Sequence, residues 1–377
     1  LSFDDLRNGD RLMAYSGHLL FKEGGLQMNT RNRQLEFLRE NSSPTIQHLL
    51  ARLNEDVAAP EFQKNYQALR SLPELAYWKA NIPVNISNET ILGSSDGCFE
   101  NAFGKLLQFG LNLDDILTTE QMQNCIGFLE TTQNDDIYTS LARYVVAGYL
   151  LGAGSTSKVV SKTVTDRIDA LYGFVSSSPF KHDIYVDSIG TKLPKSYQSK
   201  KLVNPTLYEN GELVLPFIHD IFVFGNIQRH IPNDYQNKIA AIVDYVCDPK
   251  YQSFDYGYGV VRSSGNKLHA MGWSAHMPLF NEALSSEYFK KGLIFRMGLF
   301  SRFENAAVKI WLNSTMKKLA NFRIDEVRYC FAGALLPETT NSYFLNGRHT
   351  SLNENRRQKN GRIIESTFYA YLCDVDY

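Results

Sequence analysis

The densest run of side chains able to do chemistry lies between Phe254 and Pro278. It contains Asp255-Tyr256-Gly257-Tyr258-Gly259 and His269-Ala270-Met271-Gly272-Trp273-Ser274-Ala275-His276. Glycines let a backbone approach a ligand closely, and Tyr and Trp offer stacking faces with a polar edge. A pair of histidines in a loop can act as base or ligand at neutral pH. Tyr256, Tyr258, His269 and Trp273 are therefore candidate binding residues, and His276 is a candidate catalytic one. The same composition also suits a loop folded over a core as a plug.

Three further constellations carry acid or basic groups. Asp96 and Glu100 stand i, i+4 where a helix begins. Carboxylates there cap free N–H groups and complement the helix dipole, or they form an acid pair facing a cavity. His219-Asp220 interrupts the apolar run Leu213–Phe224. Burying either without a partner costs on the order of a few kcal/mol, so they pair in the core or face a wet cavity. Late in the chain, Asn346-Gly347-Arg348-His349 and Asn353-Glu354-Asn355-Arg356-Arg357 precede Glu365. His349 and Arg356 can take an anionic group, or the segment is a solvated loop. Glu365, between Ile364 and Phe368, reads as an inward-facing acid. Asp96, Asp220, His276 and Glu365 make up the candidate catalytic set.

The elements that position these residues read as helix after helix. Val160, Val164, Ile168, Leu171 and Val175 mark one amphipathic face. Ile137–Leu151 is apolar nearly all round and must be buried on most sides. Prolines at 44, 60 and 73 stand where helices open. Residues 1–40 read as an irregular segment with one or two short helices, and 41–377 as a single domain. Residues 176–204 lack periodicity and read as a long surface loop. Val327–Ala332 is the one candidate strand. The result is an all-α chain whose hairpins close into a double ring, since no fixed-period repeat marks a solenoid.

Composition narrows the classes. The 377 residues are 44% hydrophobic and 21% charged, with a net charge of -1. No basic stripe points to nucleic acid. The longest apolar run is too short to span a bilayer, and no signal peptide is visible. The five cysteines are odd in number and irregularly spaced, which does not suit a disulfide framework. A cytoplasmic protein is the expectation, with a leader removed before Leu1 left open.

With these residues laid out, the chain resembles the α/α-toroid superfamily of squalene and terpenoid cyclases and protein prenyltransferases. The carriers are the segment Tyr235–Cys247 followed by Tyr256-Gly257-Tyr258-Gly259, the Met271-Gly272-Trp273 turn, and the late helix holding Trp311. The resemblance spans roughly residues 60–377 and implies an α/α toroid. The superfamily's activity motifs depart here. The D-x-D-D acid of the cyclases has only Asp374-Val375-Asp376-Tyr377 as its nearest string, and the Q-x-x-x-G-x-W repeats are absent. The Asp-x-Cys zinc pair of the prenyltransferases is matched only by Asp244 and Cys247, one residue too far apart, with His269 or His276 downstream. No cofactor is expected, zinc included.

Three functions fit: an enzyme or binder acting on an isoprenoid in an aromatic cavity, a carbohydrate-active hydrolase or lyase, or a non-catalytic protein scaffold. The partner is then a small molecule or oligosaccharide, or another protein. Aromatic faces stabilise carbocations by cation–π attraction, with Asp96 or Asp220 as proton donor. Sugars need aromatic platforms and paired carboxylates or a Tyr/His pair. The loop Asp255–His276 is expected over the ring's mouth, with Tyr258, His269, Trp273 and His276 near Asp220 and Glu365.

Overall fold

Helix start signals in the sequence are used almost everywhere. A computed structural model describes residues 30–54, 60–134, 136–186, 193–208, 211–262, 268–280 and 292–374, and these are mostly helical. Residues 30–41 are helical, so the irregular N-terminal segment ends earlier than its composition implies; residues 1–29 lie outside the described residues. Then come α1 (Pro44–Leu53), α2 (Pro60–Arg70) and α3 (Pro73–Ala80). Each begins on its proline, whose missing N–H would have had no intrahelical partner.

The middle of the chain supplies α4 (Asn88–Ile91), α5 (Phe99–Gln108), α6 (Leu113–Ile116), α7 (Thr119–Thr131), α8 (Ile137–Gly152) and α9 (Lys158–Ser176). Thr118 caps α7 in a reciprocal box with Gln121, and Asp136 accepts from the N–H groups of Tyr138 and Thr139 at the start of α8. The later helices are α10 (Ile218–Ile227), α11 (Asn233–Cys247), α12 (Pro249–Gln252), α13 (Leu293–Phe300), α14 (Ala306–Lys318) and α15 (Lys359–Cys373).

Burial sorts the longer helices into two sets. Helices α5, α8, α10, α13 and α15 are buried over most of their length. Helices α7, α9, α11 and α14 bury one stripe each, as their amphipathic patterns require. In the first set α5 packs on α8, α8 on α10, α10 on α13 and α13 on α15. In the second, α7 packs on α9, α9 on α11 and α11 on α14. Close approach has a specific cause at Gly148 in α8, where an added Cβ would lie 2.5 Å from Val223 Cγ2 on α10.

The stretch expected as a bare loop at 176–204 carries structure. It contributes β1 (Tyr185–Val186) and β2 (Leu202–Val203), which join β3 (Val260–Arg262) and β4 (Leu268–Ala270) in a four-stranded sheet of order β1-β2-β3-β4. β2 runs parallel to β3, and the other two pairings are antiparallel. Strands this short carry no alternation to read in sequence. The candidate strand at Val327–Ala332 does not form: Tyr329 makes only an isolated bridge to Arg323. The apolar run from Leu213 is helical only from Ile218, and the residues before it run into the bridge between Phe217 and Ser274.

Candidate functional site

The first turns of α5 and α10 bring two titratable side chains together in the core. Glu100 and His219 are each the second residue of their helix, and both are fully buried. His219 Nε2 donates to Glu100 Oε1 across 3.2 Å. Among the described residues Glu100 Oε2 and His219 Nδ1 have no hydrogen-bond partner, and neither does the hydroxyl of Tyr149 on α8. Burial, and then the Glu100 charge beside it, push the Tyr149 phenol well above its ordinary value. The Tyr343 phenol is raised too, by burial and then by Glu100.

Above this pair stands an aromatic rim. Trp273 meets the His219 ring edge-to-face at 5.7 Å and Tyr138 at 5.9 Å. Tyr138 in turn meets His269 at 4.7 Å. Trp273, Tyr138, His269 and Tyr343 are all half-buried. Burial raises the Tyr138 phenol, and Tyr197 and Tyr343 close by raise it further. Below the pair the space between the buried helices is filled. Phe99 packs on Phe103, Phe103 on Tyr149, Tyr149 on Phe222, Phe222 on Phe344 and Phe344 on Phe295, with centroids 4.9 to 6.1 Å apart.

The other sequence candidates fall in different places. Asp220 is turned away from the rim. It makes a two-pronged pair with Arg167 at 3.0 and 2.9 Å and accepts from the Phe217 N–H at 2.6 Å. Asp96 lies before α5, whose cap residue is Cys98. It accepts from Tyr77 at 2.8 Å and from the Asn341 N–H at 2.7 Å, so it neither caps the helix nor joins Glu100. Glu365 binds Arg356 and the Leu352 N–H, away from the rim. Arg356 also donates to Leu336 O, and His349 is buried and donates to Ser342 O at 2.8 Å. This late segment is a knitted corner of the core, which the polar composition hid.

The aromatic loop divides in two. Trp273 and His269 reach the rim beside His219. Tyr258 and His276 do not. Tyr258 is buried, bonded to Tyr251 and Pro216 O. Both ring nitrogens of His276 are engaged, by Ser274 Oγ at 2.7 Å and Phe254 O at 3.0 Å. Tyr256 is partly exposed and accepts from Arg296, a buried guanidinium that also donates to Ser274 O and His276 O. Two of the loop's glycines serve the chain itself: a Cβ on Gly257 would stand 2.7 Å from Met271 O, and one on Gly259 2.3 Å from Lys201 O.

At the Asp244/Cys247 position Asp244 accepts from Asn305 at 2.6 Å, and burial pushes the Cys247 thiol up to about 12. Among the described residues no three His, Cys, Asp or Glu side chains come together as a metal ion would need. No described helix is long and apolar enough to cross a membrane, and all five cysteines are free.

Sequence reasoning singled out the His219 position and Glu100, but it weighed each with the wrong neighbour, Asp220 and Asp96. Tyr138, Tyr149 and Tyr343 gave no signal, because a tyrosine in an apolar stretch reads as core. Compared with known protein families, curated proteins and solved structures, the chain matches none.

Proposed function

We propose that the chain is a carbohydrate-active enzyme built as an α/α toroid, with the Glu100–His219 pair performing acid–base chemistry on a sugar. Helices α5, α8, α10, α13 and α15 form the inner circle in this reading. Their successive packing supports it, as does the approach of Gln108 on α5 to Tyr369 on α15. The observation that carries the chemistry is the trio of buried, unpartnered polar atoms Glu100 Oε2, His219 Nδ1 and Tyr149 Oη. Each costs roughly 1–3 kcal/mol when left unpaired; other buried polar atoms among the described residues, such as Tyr144 Oη, Tyr245 Oη and His48 Nδ1, are unpartnered too, and what sets these three apart is that they stand together.

With Nε2–H given to Glu100, His219 Nδ1 carries the free lone pair and takes the proton. Glu100 steadies the imidazolium that forms. Tyr343, half-buried and held protonated by burial, is the proton donor, and Tyr149 stays a neutral phenol beside Glu100. Trp273 and Tyr138 supply the platform for a sugar ring and the gate above the pair. One carboxylate with one imidazole fits a lyase or isomerase better than the paired carboxylates of hydrolysis. The touching aromatic rings below the pair favour this reading over an isoprenoid chain in the same space.

The test is turnover of a panel of neutral and acidic polysaccharides, read as new reducing ends and unsaturated ends. One substrate should be turned over, and His219→Gln and Glu100→Gln should each lose roughly 10²–10⁴-fold in kcat with folding intact. Unchanged activity in both variants, or no sugar bound or converted by the wild type, sinks the proposal.

A further inference from the structure

A second place on the molecule has the chemistry of a binding site, and it lies outside the Glu100–His219 pair. An open groove of about 660 Å³ runs between residues 85–89 and the outer face of α7. That volume is within the range of roughly 300–1,000 Å³ usual for small-ligand sites. Its lining is mainly amide and hydroxyl side chains with one aromatic ring, Phe128, and one ionisable group, Glu89.

The amides are held in place. Asn124 donates its Nδ2 to Val84 O at 2.9 Å, and Asn88 donates its Nδ2 to Thr139 Oγ1 at 2.9 Å. Each is left with a fixed carboxamide oxygen that accepts nothing from the described residues. Fixed acceptors select a ligand rich in donors. The Glu89 carboxylate disfavours an anion, so phosphates and nucleic acid do not fit.

Gly127 supplies an independent observation. It sits inside α7, where glycine is a poor helix former. Nothing among the described residues requires it, because an added Cβ would meet none of their atoms within 4 Å. Its missing side chain leaves the floor of the groove open beside Phe128, which is half-buried. An open helix backbone, an aromatic face and fixed amide oxygens together match the faces of a pyranose ring, which is apolar on its C–H side and donor-rich around its edge.

We infer that this groove binds a neutral saccharide segment. The inference does not depend on the Glu100–His219 pair being catalytic. At one end the groove is tied to the first turn of α8, where Asn88 donates to Thr139 Oγ1.

The experiment is titration calorimetry of the full chain with hexasaccharides of glucose in β-1,4, β-1,3 and α-1,4 linkage, of β-1,4 mannose and of β-1,4 N-acetylglucosamine. At least one should bind. Gly127→Gln fills the floor while improving the helix, so it should weaken that binding at least tenfold with Tm unchanged or raised. Asn124→Ala should weaken it as well. His219→Gln should bind as the wild type does, which separates this site from the proposed catalytic one. Failure of every hexasaccharide to bind, wild-type binding by Gly127→Gln, or loss of binding in His219→Gln alone overturns the inference.

Discussion

Asp220 offers the sharpest test of how the buried charges are used. From sequence it is a proton donor; in the fold it is the partner of Arg167. The two meet at 3.0 and 2.9 Å, with side chains 0% and 4% exposed. Asp220→Asn keeps the shape and removes the charge, leaving a guanidinium in the core. Breaking a buried pair from one side costs roughly 3–5 kcal/mol. Glu212 stands 3.2 Å from Arg167 and is 28% exposed, so it compensates in part and the loss should fall near the low end, about 3 kcal/mol. An asparagine oxygen can still accept from the Phe217 N–H, so the cap is not the main loss. The expected fall in Tm is roughly 4 °C for a chain of this size. Urea unfolding followed by circular dichroism, with an unchanged m value, measures it. Removing both charges together, as Arg167→Met with Asp220→Leu, should recover only part of the stability, because Leu213 O, Leu215 O and the Phe217 N–H then lose their partners. A variant Asp220→Asn within about 0.5 kcal/mol of wild type would refute this reasoning. So would one that stays fully stable but loses turnover, which would return Asp220 to the role of acid.

His48 is buried against Gly110 O, and burial lowers its pKa from 6.5 to about 4. The unfolded chain therefore binds a proton in the interval between these values that the folded chain does not. Stability should be full above about pH 6.5, decline as pH falls toward about 4 and then level, losing at most about 3 kcal/mol from this group. Urea titrations at several pH values should show the slope reduced in His48→Gln. Gly148→Ala should destabilise by roughly 1–3 kcal/mol through its clash with Val223, although alanine is the better helix former by about 1 kcal/mol; adding Val223→Ala should relieve it, and thermal melts of the three proteins decide.

What the sequence determined by itself is the local layer. The stripe Val160, Val164, Ile168 and Leu171 makes α9 a helix with one buried face, and the all-round apolar α8 had to be inside. Prolines 44, 60 and 73 mark starts because their chemistry is local. Side-chain partnership is different, since it joins residues far apart in the chain. Glu100 meets His219 across 119 positions, and Asp220 finds Arg167 across 53. Adjacent residues of one helix, His219 and Asp220, point in different directions because successive helical positions are turned by about 100°. One therefore enters the candidate site and the other an ion pair. The aromatic loop shows the same limit. Its composition announced packing faces and close backbone contacts, but only the tertiary structure decided that Trp273 lies over His219 while His276 is tied to Ser274 and Phe254. The short strands of that loop, β3 and β4, pair with each other, and a distant segment, Leu202–Val203, joins them to the rest of the sheet through β3.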